Sequence, residues 1–88
     1  MIPKFRSTII LEIHPSARKH GIPDADIEHA VNHAMSIDDG DNQTRLYLGA
    51  AQNAELLEVV TVVRGVRSEL AIHAMKMAPK YRRLLPGE

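Results

Sequence analysis

Cysteine and tryptophan are absent from the 88-residue sequence, Phe5 is its only phenylalanine, and Tyr47 and Tyr81 are its only tyrosines. Without cysteine there is neither a disulfide framework nor a thiolate zinc site, which suits a reducing compartment. So few aromatic rings argue against a module that stacks bases on aromatic platforms, such as an RNA-recognition or OB fold. No apolar run approaches the roughly 18 residues needed to span a bilayer. The opening MIPKFRSTII has too short an apolar stretch, and no small-residue cleavage signal, for a signal peptide or anchor. A soluble, cytoplasmic protein with no membrane partner is the expectation.

Net charge is also missing. Eleven Lys and Arg balance eleven Asp and Glu, so the molecule as a whole does not attract nucleic acid. The distribution is less even: Arg18, Lys19 and His20 cluster early, Lys76 to Arg83 cluster late, and Asp38, Asp39 and Asp41 lie between them. If the two basic clusters meet in the fold, a neutral protein still carries a cationic cleft.

What is present points to one small α+β domain spanning residues 1–88. Residues 8–13, TIILEI, alternate as a strand, which His14-Pro15 ends. Residues 15–20 read as a short helix closed by Gly21. Pro23 and Asp24 open a second helix whose Ile27, Ala30, Val31 and Ala34 form an apolar stripe. A strand begins near Ser36-Ile37, DDGDN is a turn, and three strand-like runs follow at 45–50, 55–64 and 67–74. Hairpin turns at Gln52-Asn53 and Gly65 make consecutive antiparallel strands the economical topology. Pro79 opens a last helix through Leu85. The expected architecture is therefore a strand, two helices, a three- to four-stranded antiparallel sheet and a C-terminal helix. Alternation along the strands and the helical stripe together assign Ile9, Leu11, Ile27, Val31, Leu46, Leu48, Leu57, Val59, Leu70 and Ile72 to a common core. The stretch Ile2 to Ile10 offers an edge for pairing with another chain, so a homodimer is possible.

Several strings taken together, "RKHGI", "RLYLG", "LLEVVTV" and "IHAM" running into a basic segment, resemble the BrnT-like ribonuclease toxins of bacterial type II toxin–antitoxin systems, which share the sheet-plus-helices plan of RelE-like ribonucleases. The resemblance implies that Lys19, His20 and Gly21 carry the family's Lys-His-Gly and that Arg45 stands where an Arg opens its middle strand. In the last strand Ile72 and Ala74 match, whereas His73 replaces a Ser, Met75 an Arg, and Tyr81 falls about where a Glu would be. Arg82 and Arg83 keep the basic character. It further implies an antitoxin partner with a ribbon-helix-helix DNA-binding part and an RNA substrate.

RNA cleavage at a 2′-hydroxyl needs a base, an acid for the leaving 5′-oxygen, and cations for the developing phosphate charge. His73, His20 and the Tyr81 hydroxyl are the candidate catalytic groups. Lys19, Arg45, Lys80 and Arg82 are the candidate substrate ligands. Each has a plainer role. His73 can be a half-exposed residue bonded to a neighbour such as Glu58, and His20 can offset a helix dipole. Arg82 and Arg83 must point apart, and Tyr81 can cover the core edge.

No cofactor or metal is expected. His29 and His33, four apart with Asp26 one turn earlier, have ligand-like spacing, but the residue after His29 is Ala30, not the Glu of a zinc protease. The competing function is a non-catalytic domain of the same fold that binds protein or nucleic acid through the same face.

Overall fold

The computed structural model describes residues 9–87. Within them the chain forms β1 (Ile10–Ile13), a 3₁₀ turn (Pro15–Arg18), α1 (Asp24–Asn32), β2 (Ala34–Asp39), β3 (Thr44–Ala50), β4 (Leu56–Gly65), β5 (Ser68–Lys76) and a second 3₁₀ segment (Pro79–Leu84). The α+β class is as expected. The sheet is larger than expected and mixed, with five strands in the order β1-β5-β4-β3-β2 and β1 running parallel to β5.

The extra order comes from two places. β1 pairs with the strand farthest from it in the sequence, with Ile10 opposite Ser68 and Ile13 opposite Ala71, a relation that no turn signal announces. β2 begins at Ala34, which the helical stripe claims for α1, because the helix ends at Asn32 and His33 has left helical geometry. The segments expected as first and last helices are both 3₁₀. Each opens with a proline and runs for four or six residues, too short for the cooperative α-helical ladder. Most of the suggested pairing edge, residues 2–8, lies outside the described residues, and Ile10 begins β1.

One face of the sheet is covered by α1. Ile27, Ala30 and Val31 are buried against β3 and β4, with Tyr47, Leu57, Val59, Ala71 and Ala74 beneath them. The helix lies so close that a Cβ on Gly49 would come within 2.2 Å of the Ala30 carbonyl oxygen. This corrects the expected facing of β3: Tyr47, not Leu46 and Leu48, points to the helix. Leu48 is buried outside that cluster, and Leu46 and Leu70 are half-buried.

In β5, a bulge breaks the alternation: Ala71 pairs with Thr61 and His73 with Val60, so one residue of β5 is left over. Ala71 and Ala74, three apart, consequently both join the core. His73, opposite Val60, turns away from it. None of the helices among the described residues is long and apolar enough to cross a membrane.

Candidate active site around His73

The β4–β5 register sets His73 opposite Val60 and Met75 opposite Glu58, which makes His73 and Glu58 diagonal neighbours on one face. His73 Nε2 lies 2.9 Å from Glu58 Oε2, with the carboxylate side chain only 9% exposed and the imidazole 34%. The other carboxylate oxygen, Oε1, accepts the backbone N–H of Ala78 at 2.8 Å. Ala78 is the N-cap of the C-terminal 3₁₀ segment, and the preceding Met77 N–H donates to the Leu56 carbonyl at 3.0 Å. Strand pairing is thus carried to the point where the basic segment begins.

The first 3₁₀ turn is fastened to the same stretch of β5. His14 N–H donates to the Ala71 carbonyl at 2.9 Å, and Ser16 Oγ donates to the Ile72 carbonyl at 2.8 Å. Ser16 N–H in turn donates to His14 Nδ1 at 3.0 Å, capping the turn. Gly21, at φ +77°, closes the turn, its N–H donating to the Arg18 carbonyl at 3.0 Å. His20 sits edge-on to His73, ring centroids 5.8 Å apart and planes at 80°. Neither His20 nor His73 Nδ1 makes a hydrogen bond among the described residues.

Cations lie on the segments that carry or follow the pair. Lys19 precedes His20 in the chain, while Lys80, Arg82 and Arg83 follow Ala78 and, with Pro79, line an open depression of about 470 Å³ that neither histidine lines. Among the described residues none of these four cations has an ion-pair partner within 4 Å. Tyr81 is half-buried; Lys80 Nζ lies 5.1 Å from its ring centroid, and its N–H donates to the Ala78 carbonyl at 3.1 Å.

Arg45 is not with them. It contacts Asp39 Oδ1 at 2.6 Å and the buried Glu69 Oε2 at 3.0 Å, and the Asp39 hydrogen bond is the main cause of its raised pKa. Glu69 also accepts from the Tyr47 hydroxyl and from Thr61 Oγ1. The arginine at the start of β3 therefore neutralises a buried carboxylate on the helix-facing side of the sheet. Arg18 is likewise taken up, by both carboxylate oxygens of Asp24.

The His29–His33 pair has local roles too. The rings stack at 4.2 Å; His29 Nδ1 is 2.7 Å from the Ala50 carbonyl and His33 Nδ1 3.1 Å from the His29 carbonyl, while Asp26 accepts Gln52 N–H. Among the described residues no three His, Asp or Glu converge to hold a metal ion.

Of the residues the sequence singles out, His20 and His73 lie together, and the His73–Glu58 bond expected for a plain structural role of His73 is formed. It does not reveal that Glu58 also binds Ala78, because a backbone N–H leaves no mark in the residue pattern. The Glu69 network does leave one: a carboxylate inside an apolar strand requires partners. No known protein family, curated protein or solved structure matches the chain.

Proposed function

We propose that the protein is a metal-independent endoribonuclease of the toxin-like kind, acting on RNA at His73 and His20. The observation that carries this reading is the meeting of two imidazoles beside β5, with cations on the adjoining segments that have no ion-pair partner among the described residues. In the reaction, His73 Nδ1 takes the proton of a 2′-hydroxyl as that oxygen attacks the adjacent phosphorus. Protonated His20 donates to the departing 5′-oxygen. The O2′–P bond forms and the P–O5′ bond breaks, leaving a 2′,3′-cyclic phosphate and a 5′-hydroxyl. Lys19 and, from whichever side of the basic 3₁₀ segment faces the phosphate, Lys80 or Arg82 offset the charge gathering on it, and the Tyr81 hydroxyl is a further proton donor. Arg45 has no part in this, because its guanidinium is committed to Asp39 and Glu69.

On this reading the partner is an antitoxin with a ribbon-helix-helix DNA-binding part, whose remaining segment covers the cationic face. The test is expression with and without wild-type His73, scored for growth arrest, together with cleavage of purified and ribosome-bound RNA in the presence of a chelator. Wild type should cut and H73A should not, at equal melting temperature. The His73–Glu58 pair also suits a second reading, a non-catalytic binding domain of the same fold; RNA binding without cleavage by wild type would select it.

A further inference from the structure

Glu58 is a carboxylate in the middle of a largely apolar strand, 6% exposed, with each of its oxygens committed to a different element. Its position has two chemical consequences. An ionised carboxylate only accepts hydrogen bonds, so the His73 nitrogen that faces it, Nε2, carries a proton. In the neutral imidazole this leaves Nδ1 with the lone pair. The second oxygen holds the Ala78 N–H, the first backbone donor of the segment that bears Lys80, Tyr81, Arg82 and Arg83.

We infer that Glu58 is a positioning residue for this site: it fixes the tautomer of His73 and, through Ala78, anchors the basic 3₁₀ segment beside it. The inference rests on the ribonuclease reading for its catalytic meaning, but the tautomer and the anchor are properties of the resting protein. A carboxamide cannot do both tasks as a carboxylate does. With E58Q, the amide oxygen can keep the Ala78 N–H, and the amide NH₂ must then face His73 Nε2. A donor there requires Nε2 to carry the lone pair, which moves the proton to Nδ1. The base is inverted while the cationic segment stays in place. With E58A both ties are lost.

The decisive measurement is ¹⁵N–¹H correlation of the histidine side chains in wild type, E58Q and E58A, which reads the tautomer of His73 whether or not any RNA is cut. It is paired with RNA affinity, cleavage rate across pH and melting temperature. Wild type should show the Nε2–H tautomer and E58Q the Nδ1–H tautomer. E58Q should bind RNA within about twofold of wild type but cleave on the order of a hundredfold more slowly, as expected for a misdirected general base. E58A should lose affinity as well as rate. If E58Q leaves His73 in the Nε2–H form, or E58A keeps full RNA affinity, the positioning role is overturned. Tautomer inversion in E58Q alongside a wild type that cuts no RNA would instead retain Glu58 as the residue that orients His73 and remove the ribonuclease reading.

Discussion

The Tyr47 hydroxyl donates to Glu69 Oε1 across 2.5 Å, between side chains that are nearly sealed from solvent. Thr61 Oγ1 donates to the same oxygen at 2.8 Å and Arg45 to the other at 3.0 Å. A buried carboxylate is tolerated only with such partners, and this one has three. The cluster lies on the helix-facing side of the sheet, away from the His73–Glu58 pair, so the sheet carries two separate polar groups, and their mutational signatures should differ.

Burial, with the hydrogen bond to Glu69 second, pushes the Tyr47 hydroxyl up to about 12. A group with its folded pKa raised contributes stability that is whole below the unfolded value, near 10, and is lost as pH rises through the folded value. Between those limits wild type should lose on the order of 2–3 kcal/mol, an alkaline loss that Y47F should lack. At neutral pH Y47F should cost about 1–2 kcal/mol, because Glu69 is left with two donors. Denaturant unfolding across pH, with tyrosinate absorbance, checks both. A tyrosinate that forms in the folded protein near pH 10 for both tyrosines would contradict the buried hydrogen bond.

Replacing Arg45 should harm stability and spare chemistry. R45A removes the cationic partner of Glu69, at a cost on the order of 2 kcal/mol, while on the ribonuclease reading cleavage per folded molecule stays at the wild-type rate. The pair has an acid signature as well. The Arg45 hydrogen bond holds the Asp39 carboxyl below its ordinary value. Its contribution is therefore present above that ordinary value and lost as pH falls through the lowered one. Acid unfolding of R45A should lack this component. A large fall in RNA affinity for R45A, with unchanged melting temperature, would return Arg45 to the substrate.

Much of the fold is legible in the sequence wherever a single period governs. The stripe Ile27, Ala30, Val31 marks the buried face of α1, and alternation marks Leu57 and Val59. What escapes are relations with no local cause. The parallel partner of β1 is chosen by the whole sheet, and the β5 bulge lets Ala71 and Ala74 share a face although they are three apart. The site follows the same division. His73 and Glu58 are readable as neighbours because hairpin strands bring them together. The role of Arg45 is not, because a strand-edge arginine looks alike whether it meets phosphate or a buried carboxylate.

The contact between α1 and β3 should be the least forgiving point of the fold. A Cβ at Gly49 would meet the Ala30 oxygen at 2.2 Å, the Ala30 carbonyl carbon at 3.0 Å and Ala34 Cα at 3.1 Å, all of them backbone. No side chain can swing aside, so helix and strand must separate. G49A should cost at least about 1–3 kcal/mol and V31D should unfold the domain, since Val31 is 2% exposed in the same interface. Thermal melts decide the matter, and a G49A variant with the wild-type melting temperature would mean the helix sits farther from the sheet.

The basic 3₁₀ segment gives the clearest test of a nucleic-acid surface. Residues three apart are eclipsed along a 3₁₀ helix, so Lys80 and Arg83 share a side and Arg82 occupies another. Each cation that neutralises a phosphate of single-stranded RNA adds about 0.7 to the slope of log affinity against log salt concentration. If the side carrying Lys80 and Arg83 faces RNA, K80A and R83A should each lower the slope by about that amount and R82A should lower it little; if the Arg82 side does, the pattern reverses. H73A should leave the slope unchanged in either case, since the role proposed for His73 is proton transfer and not a phosphate contact. Binding isotherms at several salt concentrations, on variants with matched melting temperatures, distinguish these outcomes. Equal slopes for wild type and the combined variant K80A/R82A/R83A would mean that the segment contacts no phosphate, and the cationic flank would have to be assigned to Lys19 or given up.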